Sequence, residues 1–137
     1  VSCVDNLVVI NGDGNQISGT IPTQFGLLDN LQELHLHSNG LTGTIPSELG
    51  GVLKDLVALD LSSNRLTGSL PESIGDLDQL VFLSVAWNEL TGDVPSSFLE
   101  LESLNQFFLQ DTNMIDGLQA FCNRSLLTTE IKADCGG

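Results

Sequence analysis

A recurrence every 24 or 25 residues constrains this chain more than any other feature. Leu7, Leu31, Leu56, Leu80 and Leu104 open successive units at spacings of 24, 25, 24 and 24 residues. Aligned on those leucines, the pattern LxxLxLxxNxLTGxIP returns. The second unit reads LQELHLHSNGLTGTIPSELG, the third LVALDLSSNRLTGSLPESIG and the fourth LVFLSVAWNELTGDVPSSFL. Such a period is the signature of a solenoid, in which a unit that cannot bury its apolar face alone shares one core with its neighbours.

Each recurring position has a physical task. The LxL pair alternates with polar residues at period two, which predicts a short strand with one buried face. Asn15, Asn39, Asn64 and Asn88 fall where the chain turns inward, and an amide there can both donate to and accept from buried backbone groups. Gly19, Gly43, Gly68 and Gly92 mark a tight bend. Pro22, Pro46, Pro71 and Pro95, all four prolines of the chain, end a strand and can open a helical turn. The extra residue of the second unit falls near Gly50 and Gly51, where a loop is expected to absorb it. The end units depart from the pattern, as units that cap a core do. Gly12 replaces a strand leucine in the first, while Thr112, Met114 and Asp116 replace Asn, Leu and Gly in the last.

The LTGxIP segment resembles that of plant-type leucine-rich-repeat proteins: receptor-like kinase ectodomains, polygalacturonase-inhibiting proteins and secreted diatom relatives. The resemblance covers roughly residues 4–120. It implies an α/β fold, a right-handed solenoid with a parallel β-sheet on its concave side and short 3₁₀ or helical turns and loops on its convex side. A second short strand is expected at LTGxI. The expected organisation is one domain over residues 1–137, with a truncated N-terminal cap at 1–6 and a C-terminal cap at 118–137.

The family's caps carry cysteines. Val1-Ser2-Cys3 resembles the end of an N-terminal cap, so residues upstream are expected to be missing, and Cys3 has no obvious partner. Cys122 and Cys135 resemble the C-terminal cap cysteines of secreted members, which implies a disulfide between them; two unpaired thiols, or pairing beyond this chain, stay open. The chain's single glycosylation sequon is Asn123-Arg124-Ser125. It agrees with an extracellular or cell-surface address reached through the secretory pathway.

Composition narrows the partners. Hydrophobic residues make up 41% of the 137, enough for a folded domain. No apolar run approaches the ~18 residues that cross a membrane, so no membrane insertion by this segment is expected. Eighteen acidic residues against four basic ones give a net charge of -14. That field opposes nucleic acid, whose binding depends on Lys and Arg displacing counterions from phosphates. Acidity serves solubility first; attraction to cationic partners or divalent cations is the sharper alternative.

The strand reading also assigns side chains to faces. The third, fifth, seventh and eighth residues of each unit should point from the concave sheet into solvent. Phe82, Trp87 and Phe108 then place three of the chain's seven aromatics on that face, as anchors for a peptide, protein or glycan. Glu33, Gln106 and Gln110 share it. His35 and His37 sit two residues apart with Asp60 on the next strand, a set able to hold a metal or sense pH, although nothing in the spacing demands a metal and no cofactor is implied. Five strands ~4.8 Å apart, each about five residues at ~3.4 Å, cover on the order of 400 Å². That is about half of the ~800 Å² a partner contributes to a standard interface. A rival surface lies on the LTGxI strands. There Ser18, Thr42, Thr67 and Thr91 would form one hydroxyl ladder, and Thr20, Thr44, Ser69 and Asp93 another.

An enzyme is not expected. The two histidines share one strand, and no nucleophile, base and orienting group can be assembled from the repeats. The run Asn11-Gly12-Asp13-Gly14-Asn15 lacks the lysine of a phosphate loop and the closing glutamate of a calcium loop. The leading expectation is an extracellular, non-catalytic recognition module. A cell-wall, matrix or assembly subunit docking through its sides or ends is the alternative, and ice binding through the hydroxyl ladders a third.

Overall fold

A computed structural model describes residues 6–114 of the chain. Cys3, Cys122, Asn123 and Cys135, and with them nearly all of the expected caps, lie outside the described residues.

The LxL segments form strands β1 (Val9–Asn11), β3 (Glu33–His35), β5 (Ala58–Asp60), β7 (Phe82–Ser84) and β9 (Gln106–Phe108), which join in that order into one parallel sheet. The strands span three residues rather than five, but the ladder continues past them, with Leu36 N–H donating to Asp60 O (2.8 Å) and Ser38 N–H to Ser62 O (3.1 Å). Equal positions of successive units face one another, so that Val9, Glu33, Ala58, Phe82 and Gln106 form one row. Asn11, His35, Asp60, Ser84 and Phe108 form the next. The inward residues build the core: Leu31, Leu34, Leu56, Leu59, Leu80 and Leu83 are fully buried. Phe98 and Phe107 close its last layer with ring centroids 5.8 Å apart. In the first unit Ile17 and Leu36 pack where Gly12 leaves out a side chain; a Cβ there would stand 3.0 Å from Ile17 Cδ1.

The second strand of each unit is present as β2 (Ser18–Thr20), β4 (Gly40–Gly43), β6 (Arg65–Gly68), β8 (Glu89–Gly92) and β10 (Asn113–Met114), again a parallel sheet. Here the register differs from the sequence alignment by two residues. Thr42 pairs with Thr20 on one side and Arg65 on the other, and Thr67 pairs with Glu89. The expected hydroxyl ladders are therefore not rows, and charged residues interrupt them. The stagger also explains the bend glycines. Gly43 and Gly68 have φ of 75° and 76°, and a Cβ on either would press to 2.9 Å from Cγ2 of Thr20 or Thr44 in the preceding unit.

Between the sheets runs a ladder of asparagines. Asn64 Oδ1 accepts from Leu41 N–H, while its Nδ2 donates to Leu36 O, Leu61 O and Ser62 O at 2.9–3.1 Å. Asn39 and Asn88 repeat this one unit earlier and later. Each amide thus ties its own turn to the preceding unit. Among the described residues Asn15 bonds Gly12 O and Asp13 O, both of its own unit. At the far end Thr112 keeps a single bond of the set, Oγ1 donating to Leu109 O at 2.9 Å.

On the convex side Pro22, Pro71 and Pro95 each precede a 3₁₀ turn, at Thr23–Leu27, Glu72–Asp76 and Ser96–Glu100. The second unit differs. Its extra residue is absorbed not by a loop at Gly50 and Gly51 but by an α-helical turn, α1 (Glu48–Val52), which contains both glycines. One more residue lets Gly51 N–H reach back four positions to Ser47 O (3.2 Å). A glycine column unnoticed in the sequence, Gly26, Gly50 and Gly75, lets these turns touch. Hydroxyls stitch them together, Ser73 Oγ donating to Ser47 O and Ser97 Oγ to Glu72 O, both at 2.7 Å. Among the described residues no helix is long and apolar enough to cross a membrane.

Candidate functional site

Side chains on the first sheet do not all reach solvent as the alternation predicts. Ser62, Ser84 and Ala86 are buried, at 7%, 5% and 0% exposure, because they are small residues among larger neighbours on the same face. The flush register makes this a feature of shape. Ser84 on β7 forms a floor, Asp60 and Ser62 stand one strand to one side, and Phe108 and Gln110 one strand to the other. The walls are two strand spacings apart, about 9.6 Å between backbones. The result is an open depression of about 480 Å³, bordered also by His37, Ser38, Ser63 and Trp87.

Of the residues singled out in the sequence, His37, Asp60, Trp87, Phe108 and Gln110 meet at this depression, whereas Glu33, His35, Phe82 and Gln106 do not line it. Phe82 and Phe108 are half-buried against each other, with centroids 5.7 Å apart and planes tilted by 48°. Phe82 therefore holds Phe108 upright rather than offering a free face. Trp87 differs from both, being 52% exposed. It occupies the eighth position of its unit, where the chain is left-handed in every repeat: φ is 63° at Gly14, 54° at Ser38, 54° at Ser63, 53° at Trp87 and 54° at Asp111. Small or short polar residues suit that conformation and a bulky side chain does not. Ser62 and Ser84, which shape the depression, were expected to point into solvent like their neighbours, and a small residue between larger ones in aligned units was the signal for their burial.

The histidines are engaged singly. His35 Nε2 lies 3.1 Å from Glu33 Oε2 on its own strand. Asp60 turns instead to Ser62, whose N–H and Oγ donate to its Oδ1 at 3.0 and 2.6 Å. Among the described residues no group of three His, Cys, Asp or Glu is arranged to hold a metal ion. One set not foreseen in the sequence does assemble: His37 Nδ1 lies 2.8 Å from Ser38 Oγ, and His37 Nε2 lies 3.4 Å from Asp13 Oδ2. Its geometry favours anchoring over catalysis. The short bond from Asp13 goes to the backbone, Oδ1 accepting His37 N–H at 2.8 Å, while 3.4 Å is beyond a firm N–H···O contact. Asp13 thereby fastens the first unit to the second.

This arrangement of flush LxL strands, asparagine ladder and staggered second sheet has known counterparts. The sequence profile of the leucine rich repeat family matches residues 29–90. The chain has the leucine-rich-repeat fold. Solved structures similar to it include plant receptors and receptor-kinase ectodomains. The PEPR1–AtPEP1 complex is 34% identical with a TM-score of 0.79, over 81% of this chain and 16% of that one. A plant peptide hormone receptor, RGFR1 in complex with RGF2, is 37% identical with a TM-score of 0.77, over 80% of this chain and 18% of that one. The Arabidopsis receptor kinase HAESA, in complex with the peptide hormone IDA and the co-receptor SERK1, is 28% identical with a TM-score of 0.77. That match covers 80% of this chain and 18% of that one. The repeat chain thus spans less than a fifth of the length of each. No curated protein sequence matches it significantly.

Proposed function

We propose that this leucine-rich-repeat chain is an extracellular, non-catalytic recognition module that binds a peptide or protein segment on its concave face. The observation that carries this is Trp87. A large aromatic, half exposed and held in a left-handed backbone, contributes little to the fold and stands at the rim of a depression. Residues kept in such costly conformations cluster at binding sites. Support comes from receptors of like fold, among them HAESA in complex with the peptide hormone IDA. Capture of a glycan, or an inhibitor-like role, would use the same face. The expected caps at 1–6 and 118–137, the Cys122–Cys135 disulfide and glycosylation at Asn123 belong to this reading as proposals, as does a cell-surface or secreted address.

Selection of a phage-displayed random peptide library on the protein tests it. The expected result is enriched peptides whose binding falls at least about 30-fold, the scale of a hot spot, in the triple variant Phe82→Ala, Trp87→Ala, Phe108→Ala. Enriched peptides that bind the folded triple variant undiminished would move the site off the concave face. An assembly role through the sides is favoured by one observation, the exposed Leu27 and Val52 on adjacent convex turns. A concentration-dependent oligomer in gel filtration would support it, and a monomer at all concentrations would not.

A further inference from the structure

The depression is selective in its chemistry as well as its shape. Two of its strong acceptors, Asp60 Oδ2 and Gln110 Oε1, are unused among the described residues. Both bonds that Asp60 receives from Ser62 fall on Oδ1, and among the described residues nothing bonds its Oδ2. Gln110 Oε1 is buried and has no hydrogen-bond partner among the described residues. A buried acceptor in that state destabilises the free protein, and a donor arriving with a ligand would relieve the cost. The apolar part of the lining is aromatic, Trp87 and Phe108, and an aromatic face attracts a cation placed within about 6 Å of the ring.

Charge agrees. Lys54 and Arg65, the Lys and Arg of the described span, do not line the depression. Asp111 follows Gln110, and the chain as a whole carries a net charge of -14. A carboxylate, an orphaned amide oxygen and two π faces in one acidic cleft complement a group that is positive, rich in N–H donors and flat or compact. The volume of about 480 Å³ falls within the ~300–1,000 Å³ of small-ligand sites, enough for a side chain and too little for a folded domain.

We infer that the depression between Asp60, Trp87, Phe108 and Gln110 receives a cationic side chain, the guanidinium or ammonium group of a basic peptide. This rests on the concave-face recognition proposed above and gives it a ligand class. Asp60 Oδ2 takes the charge, Gln110 Oε1 takes a second N–H, and Trp87 covers the group from the rim.

The test is a nuclear magnetic resonance titration with N-acetyl-arginine amide and N-acetyl-lysine amide, and with N-acetyl-citrulline amide as the neutral match in shape. The arginine or lysine probe is expected to shift the Trp87 indole and Gln110 side-chain signals, and citrulline to leave them in place. Asp60→Asn keeps an oxygen for the two Ser62 bonds and should weaken the response about tenfold, as loss of a charge-assisted hydrogen bond does. Gln110→Met removes the orphaned acceptor. It should weaken the response while leaving the melting temperature equal or higher, which a merely structural glutamine would not do. Equal shifts from citrulline, no shift from either cation, or an undiminished response in folded Asp60→Asn would each overturn the inference. The two readings fail separately. Library peptides that need Trp87 yet contain no Lys or Arg would overturn the cation site and leave concave recognition standing. Cation-specific shifts at Trp87, beside library peptides indifferent to the triple variant, would do the reverse.

Discussion

Alanine in place of Gly50 is expected to destabilise the protein by about 3 kcal/mol, a drop of roughly 10 °C in melting temperature for a chain of this size. The added Cβ would overlap the Ser73 carbonyl group and the Ile74 nitrogen, both backbone, in the neighbouring convex turn. Neither can swing aside as a side chain could, so the two turns must separate and the core leucines beneath them part. Gly51 is the internal control. It lies in the same helical turn with nothing within 4 Å of its would-be Cβ. Gly51→Ala should therefore stabilise by about 0.5–1 kcal/mol through reduced backbone freedom in the unfolded chain. Thermal melts followed by circular dichroism read both. A Gly50→Ala melt within a degree of wild type would mean that the convex turns are not in contact.

The second large effect is expected at Asn64. Asn64→Asp conserves shape and the acceptor for Leu41 N–H, but its second oxygen would confront the carbonyls of Leu36, Leu61 and Ser62, to which the amide donates. A buried acceptor facing acceptors, or a carboxyl forced to protonate, is expected to cost about 3 kcal/mol. Urea unfolding gives the measurement, as a lower midpoint at constant slope. If the slope falls too, the array has split at this joint, since a solenoid is held by its nearest-neighbour interfaces. Asn15→Asp supplies the contrast. That residue is exposed and among the described residues its bonds stay within its own unit, so a change under about 0.5 kcal/mol is expected. Equal losses at both positions would exclude the inter-unit role of the ladder.

These two positions differ in how visible they were. Asn64 could be read from the sequence because half of its task is local: a turn after a strand leaves buried backbone groups such as Leu61 O and Ser62 O that an amide can serve, while its bonds to Leu36 O and Leu41 N–H of the preceding unit were not visible. The strands, the convex turns and the core leucines were legible for the same reason, each following from a period of two or from a proline. Gly50 was not, because its necessity comes from the next unit's backbone, which no single unit contains. The recurrence of glycine at Gly26 and Gly75 was the available clue. The site was half legible. Alternation placed Trp87, Phe108, Asp60 and Gln110 on one face, but it could not say that Ser84 and Ala86 sink below it or that Phe82 is spent in supporting Phe108. Those outcomes depend on lateral register, which set small residues against large ones across strands. The second sheet's stagger was invisible for a related reason, since aligned positions need not be paired positions.

That stagger has a consequence for longer arrays. One sheet stacks its units flush while the other slips by two residues, about 6.6 Å of strand, at each step. A stack that advances evenly on one flank and obliquely on the other is a screw, not a rack. Every unit added would rotate the outlook of the concave face as well as lengthen it. Copy number would then act as an angular setting, fixing how far the last unit's face is turned from the first's.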